Sequence, residues 1–154
     1  MKVGFTGTRE GMTDQQADVV SRFFRGLNCS VVTVACPLEF HHGACVGADA
    51  QAALMVDREV FAGRRTIVAH PGDLGAMTDA IAMELSDVRH RPKPPLDRNR
   101  DIVDAVEVLV ATPKGPEQFK GSVTWATIRY ARKRGKRVVI VWTDGRIEDS
   151  ASKS

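Results

Sequence analysis

Backbone N–H groups freed by glycine, small hydroxyls and a guanidinium together make a phosphate-binding set. This chain places such sets three times, each just after a strand-like run. Gly4-Phe5-Thr6-Gly7-Thr8-Arg9 closes the run at 2–5, and His42-Gly43-Ala44-Cys45-Val46-Gly47-Ala48-Asp49 follows the run at 38–41. Thr112-Pro113-Lys114-Gly115 follows 106–111 and resumes at Gly121-Ser122-Val123-Thr124. Glycine lets the backbone close on an anion, and the helix that follows adds a favourable dipole. In an open parallel sheet, ligands sit beyond the carboxyl ends of the strands. One such loop is weak evidence; three in register indicate a binding edge for a phosphorylated small molecule.

Each set also has a plainer reading. Gly4 and Gly7 lack the three-glycine spacing of a dinucleotide fingerprint, and no acidic residue ends a second strand to read a ribose. Thr6, Thr8 and Arg9 remain, with Arg9 suited to bidentate phosphate contact; a turn needed only for packing has no use for it. In the second loop, Gly43 and Gly47 bracket a turn, and Asp49 is either a helix N-cap or an acceptor for ribose hydroxyls. His41, His42 and Cys45 invite a metal reading. Zinc needs three or four ligands, and His70 and His90 stand apart in sequence, so neither a metal nor a cofactor is expected. Asp97-Arg98-Asn99-Arg100-Asp101 is either a solvated helical turn or a pair of guanidiniums flanking an amide for phosphate. No Ser-His-Asp set, Cys-His set or evident carboxylate pair presents itself.

The elements that must position these groups follow from periodicity. The spacing predicts strands at 2–5, 38–41, 66–70, 106–111 and 137–142, with 29–36 an extension or edge piece ahead of Pro37. Helices are expected from a Thr13/Gln16 capping box to Asn28, at 49–60, 74–85, 97–104 and 121–134, with Gly135 as the C′ residue. Residues 91–95, rich in proline, are an extended connector. Strands alternating with helices of this length give a doubly wound, mainly parallel α/β sheet in one domain, residues 1–145, with 146–154 a frayed polar tail. A length of 154 residues suits one core, and 43% apolar with 27% charged residues argues against long disorder. No apolar run approaches the ~18 residues of a membrane span, and no signal-peptide core follows Met1-Lys2. A cytoplasmic protein of bacterial or phage origin, without a membrane partner, is the expectation. Cys29, Cys36 and Cys45 are odd in number and argue against a disulfide framework.

Taken in order, Gly-Phe-Thr-Gly-Thr-Arg, His-Gly-x-Cys-x-Gly-Ala-Asp, His70-Pro71, Arg98-Asn99-Arg100-Asp101-Ile102-Val103 and Gly…Thr124-Trp125-Ala126-Thr127 resemble the SLOG superfamily over about 2–142. That group joins the DNA-processing protein A core, the LOG phosphoribohydrolases once labelled lysine decarboxylases, and small stand-alone Rossmann-like nucleotide binders. The resemblance implies a Rossmann-like fold, a nucleotide or ADP-ribose-like ligand at the sheet edge, a sensor or binding role, and a homodimer or higher homo-oligomer. It implies that Gly4, Thr6, Gly7, Thr8, Arg9, Gly43, Gly47, Asp49, Arg98, Asn99, Arg100, Thr112, Pro113, Gly115, Gly121, Ser122 and Thr124 surround the ligand. The LOG motif would put a catalytic glutamate where Thr127 stands, and a hydroxyl cannot replace a carboxylate in that role. The alternative function, a nucleoside-monophosphate phosphoribohydrolase, would rest on Arg98 with Glu117 as a displaced carboxylate.

A second alternative is a single-stranded DNA-binding module, drawing on the net charge of +3 and the cations from Arg129 to Arg137. Trp125 and Tyr130 lie five residues apart and project about 140° from each other on a helix, so they form no single stacking face. Cations without a platform give weak, sequence-blind binding. A fluorescence titration with an oligonucleotide at about 150 mM salt is expected to show no tight complex, and any low-salt binding is expected to fall steeply as salt rises. Submicromolar, length-dependent binding at that salt would put nucleic acid first.

Overall fold

The computed structural model describes residues 1–117 and 121–152; residues 118–120, and the end of the expected tail at 153–154, lie outside the described residues. Seven strands form one sheet: β1 (Lys2–Gly7), β2 (Leu38–His42), β3 (Arg65–Ala69), β4 (Val88–Arg89), β5 (Val108–Thr112), β6 (Arg137–Val141) and β7 (Ile147–Asp149). Their spatial order is β4-β3-β2-β1-β5-β6-β7, parallel throughout except for β7, which runs antiparallel to β6. The helices are α1 (Asp14–Ser30), α2 (Ala48–Glu59), α3 (Ala80–Glu84), α4 (Pro95–Ala105) and α5 (Val123–Lys133). This is the expected doubly wound, Rossmann-like α/β fold.

Strand alternation builds a core on each face of the sheet. Val3 and Phe5 of β1 and Val108 and Val110 of β5 face α1 and α2, where Val20, Phe24 and Val56 are buried. Leu109 and Ala111 of β5, with Val138 and Ile140 of β6, face the other way onto Trp125 and Ile128 of α5. Buried on both faces, β5 shows the continuous apolar run of a central parallel strand. The capping box forms as expected: Thr13 Oγ1 accepts from Gln16 N at 3.1 Å, and Gln16 Oε1 accepts from Thr13 N at 3.0 Å. Gln16 then turns its amide inward, donating to the carbonyls of Pro113 and Val141, each at 2.9 Å.

Several local expectations are corrected. Residues 29–36 add no strand: α1 runs on through Ser30, and Thr33 turns the chain by accepting at its hydroxyl from Cys36 N, 2.9 Å away. The β-branched Val34 is left exposed, because no neighbouring strand is there to pack it. The helix expected at 74–85 is broken. A 3₁₀ turn at Gly75–Met77 precedes α3, since Asp79 caps the new start by accepting from Ala82 N, and Thr78 bridges to Cys45. β4 was not anticipated ahead of the proline connector; it is short and pairs through only Val88 and Arg89. The described part of the tail is not frayed. The turn at Asp144-Gly145 returns it as β7, and Arg137 holds Asp149 through two hydrogen bonds at 3.1 and 2.6 Å.

Gly47 has φ +90°, and a Cβ there would collide with the carbonyl of Arg9, so this glycine lets the first and second loops touch. Thr13→Ala is expected to lose about 1 kcal/mol through the lost cap. Gly47→Ala is expected to lose more, about 2–3 kcal/mol, from left-handed strain plus the clash. Urea denaturation of the two variants checks both the sizes and their order.

Candidate functional site

The carboxyl ends of β1 and β5 are level, with Gly7 paired to Thr112, while β2 ends about two residues earlier, since Gly4 pairs with His41. From β1 the chain winds one way through β2 and β3, then returns to lay β5 on the other side, so the crevice between β1 and β5 is a topological switch point. A cleft of about 580 Å³ opens there. The first loop contributes Thr6, Gly7, Thr8 and Arg9; the second, Gly43, with Asp49 from the first turn of α2; α4, Arg98 and Asn99; the approach to α5 and its first turn, Gly121, Ser122 and Thr124. All three sets read from the sequence therefore meet in one cavity. Ser122 caps α5 by accepting from Trp125 N at 3.2 Å, while the first-turn N–H groups of Val123 and Thr124 have no acceptor within the helix.

Arg98 is buried, and its guanidinium donates to three carbonyls: Nη1 to Gly43 O at 2.6 Å and His70 O at 3.1 Å, Nε to Pro95 O at 3.3 Å. It ties the ends of β2 and β3 to α4. Asp49 is not the helix N-cap; Gly47 is, and Asp49 sits in the first turn of α2 with its carboxylate accepting from Cys45 N at 3.4 Å. Burial pushes the Asp49 carboxyl up to about 6, against the opposing pull of the Arg98 charge and the amides of Cys45 and Gly43. A Cβ on Gly43 would stand 2.5 Å from Arg98 Nη1 and 2.7 Å from Asp49 Oδ2, so only glycine leaves room for this pair. Burial, with the Asp49 charge, also pushes the Cys45 thiol up and keeps it protonated.

Other expected site residues stand elsewhere. Gly4 lies within β1, where a Cβ would meet Ile102 at 2.9 Å, so its role is the close approach of α4. Arg100 is exposed, with its guanidinium 5.6 Å from the Tyr130 ring centroid, and points away from the cleft. Thr112 is buried under Gly7 with its hydroxyl unpaired. The carbonyl of Pro113 is taken by Gln16 and that of Gly115 by Trp125 Nε1 at 2.8 Å, which makes both supports of the cleft and not parts of its lining. Glu117 sits on the cations of α5, 3.3 Å from Arg132 and 3.9 Å from Arg129, outside the cavity. Thr127 accepts from Asn99 Nδ2 and donates to Val123 O, both at 2.9 Å, a bracket that orients Asn99.

Sequence reasoning missed Glu10 and Lys114, which line the cleft and pair at 3.1 Å across the β1–β5 crevice. Lys114 stands inside the third loop and Glu10 directly after Arg9 of the first, and those positions were the available signal. It also missed the apolar wall of Val46, Leu74 and Met77, because 74–77 read as helix. The basic end of α5 is matched by carboxylates: Arg132 pairs with Glu117 and Glu148, Arg134 with Asp104, and Arg137 with Asp149. Trp125 is 2% exposed and offers no stacking face to a base.

Burial favours the neutral form of His41, His42 and His70. His42 Nδ1 accepts from Ala44 N at 2.9 Å; its Nε2–H donates to Ser86 Oγ, also at 2.9 Å, and Ser86 passes its own hydrogen to Ala82 O. Burial lowers His42 to about 4 and His70 to about 3. Among the described residues, no group of three His, Cys, Asp or Glu side chains is placed to hold a metal ion.

No family model matches the chain, and no curated protein matches it. Among solved structures, the chain is similar to the molybdenum cofactor binding protein from the phototrophic bacterium Rippkaea orientalis, with TM-score 0.65 at 14% identity, over 92% of this chain and 76% of that one. It is also similar to TM1055, a structural genomics target, with TM-score 0.60 at 17% identity, over 89% of this chain and 71% of that one. At such identities the likeness establishes the shared fold.

The Asp49 carboxyl gives a pH prediction. Its folded value of about 6 lies above its ordinary 3.8, so the folded state binds the proton more tightly. Stability is therefore lost as pH rises through that window. Asp49→Asn, which cannot ionise, is expected to gain on the wild type by up to about 3 kcal/mol from about pH 4 to about pH 7. His42 and His70 favour the opposite trend, since their folded values lie below 6.5, but they are common to both proteins and cancel in the difference. Denaturant titrations across this range check the prediction; parallel curves would mean that Asp49 ionises as it does in water.

Proposed function

We propose that this chain is a small SLOG-like protein that binds a nucleotide or an ADP-ribose-like phosphorylated molecule in the β1–β5 cleft, acting as a sensor or binding module. The observation that carries the reading is the convergence of three separate loops on one cavity at the switch point, with Arg9, the capped start of α5 and Arg98 around it. The phosphate end lies by Thr8, Arg9 and the Ser122–Thr124 turn, where N–H groups and hydroxyls are concentrated. Asn99 and Asp49 face the sugar, and the heterocycle lies on Val46, Leu74 and Met77. The Rippkaea orientalis neighbour, described as binding a molybdenum cofactor, supports a small cofactor-like ligand in this fold. A homodimer or higher homo-oligomer and a cytoplasmic setting belong to the same proposal.

The phosphoribohydrolase alternative loses its proposed carboxylate, since Glu117 is paired on α5, and Thr127 is committed to Asn99. Cleavage would have to use Asp49 or Glu10, the carboxylates that line the cleft. Thermal denaturation with a panel of adenine nucleotides and ADP-ribose tests the binding reading. A ligand at 100 times its dissociation constant adds about 2.7 kcal/mol and raises the melting temperature. Arg9→Ala is expected to remove most of that shift while leaving the unliganded protein as stable as before, and Glu117→Gln to leave the shift intact. A panel without effect at millimolar concentration defeats the proposal. Release of free base from AMP that persists in Glu117→Gln would instead assign turnover to a cleft carboxylate.

A further inference from the structure

A second cavity, of about 230 Å³, shares Arg98 with the cleft and is otherwise lined by different side chains, chiefly His70, His90, Arg91, Lys93 and Asp101. Its proton arrangement is set from one end. Glu39 Oε1 lies 2.7 Å from His41 Nε2, and a carboxylate there holds the hydrogen on that nitrogen. His41 Nδ1 must then accept, so the hydrogen in its 2.7 Å contact with His70 belongs to His70 Nε2. His70 Nδ1 is left as a lone pair with no partner among the described residues, on a side chain only 5% exposed that lines the cavity. The His90 ring stacks on that of His70 with centroids 4.3 Å apart and covers its face, so the ring edge is what the cavity meets.

An unpartnered acceptor beside Arg91, Lys93 and Arg98 calls for an anion that carries a hydrogen. Two carboxylates oppose an anion, Asp101 at 2.6 Å from Lys93 and Asp49 beside Arg98 on the side of the larger cleft, which leaves Arg91 as the uncompensated cation of the three. A metal cation meets that positive surplus, and no three-ligand group stands among the described residues. We propose that this cavity is a second ligand site, which takes inorganic phosphate: its oxygens accept from Arg91, Lys93 and Arg98, and its remaining hydrogen is donated to His70 Nδ1. Sulfate has the same shape and no hydrogen at neutral pH, so it sets an oxygen lone pair against the nitrogen lone pair and is rejected. The site does not depend on what occupies the larger cleft. Through Arg98, which also holds Gly43 O, it borders that cleft directly.

The test follows histidine ring nitrogens by NMR while sodium phosphate or sodium sulfate is added to the full chain at matched ionic strength. Phosphate is expected to shift the His70 and His90 resonances saturably, and sulfate to bind at least about tenfold more weakly. Replacing buried His70 risks the fold, so the variant is Arg91→Ala with Lys93→Ala, both exposed; it is expected to keep its melting temperature and lose the phosphate response. Arg9→Ala, in the main cleft, is expected to retain that response, which separates failure of this site from failure of the nucleotide reading. Equal affinity for the two anions, an undiminished response in the double variant, or an unmoved His70 resonance at tens of millimolar phosphate each overturn the proposal.

Discussion

Arg98 is the charge around which the carboxyl edge of the sheet is organised. A guanidinium buried without satisfied donors costs several kcal/mol, and here backbone carbonyls at Gly43, His70 and Pro95 satisfy it. Those carbonyls belong to the chain after β2, the chain after β3 and the start of α4, so one side chain joins three segments that are far apart in sequence. The consequences spread outward. Residue 43 must be glycine, since any Cβ would occupy the guanidinium's place. Asp49, close to that charge, can stay buried at the cleft, and the two cavities share a wall.

The cleft exists because the ends of β1 and β5 are level and the strand order reverses beside β1. Parallel pairing at Gly7–Thr112 puts the loops after β1 and β5 side by side, where helices on opposite faces leave room between them. Gly7 and Gly47 let those loops and α2 approach more closely than side chains permit. The Glu10–Lys114 pair spans the same crevice at its exposed mouth, where an ion pair adds little to stability. Its value is that it sets opposite charges across the entrance.

The parts that were misread share a cause: each depended on a neighbour distant in sequence. Val31, Thr33 and Val34 have strand propensity, yet the sheet offers them no edge, and the Thr33 turn takes over. The segment 74–85 carries helical periodicity, but Thr78 is drawn into a bridge with Cys45 and the helix restarts at Asp79. β7 exists because Arg137, on β6, finds Asp149. Arg98 and Arg100 were read alike from sequence; one is buried on carbonyls and the other lies over Tyr130, since two residues along a helix turn a side chain to another face.

The sequence by itself determined the alternation of strands and helices, the capping box at Thr13, the glycine loops at strand ends, and hence a Rossmann-like sheet with those loops along one edge. These rest on local periodicity and on backbone conformations that glycine permits, and both are written within short windows. Tertiary structure decided which polar groups face a cavity and which brace it: Gly4, Thr112, Pro113 and Gly115 became supports, Glu117 an ion-pair partner, and Thr127 a bracket for Asn99. It also joined His41 to His70 through a hydrogen bond and His70 to His90 through a stacked ring, three residues the sequence keeps far apart. A side chain's partners are set by strand register and helix packing across tens of residues, and no local pattern encodes that distance.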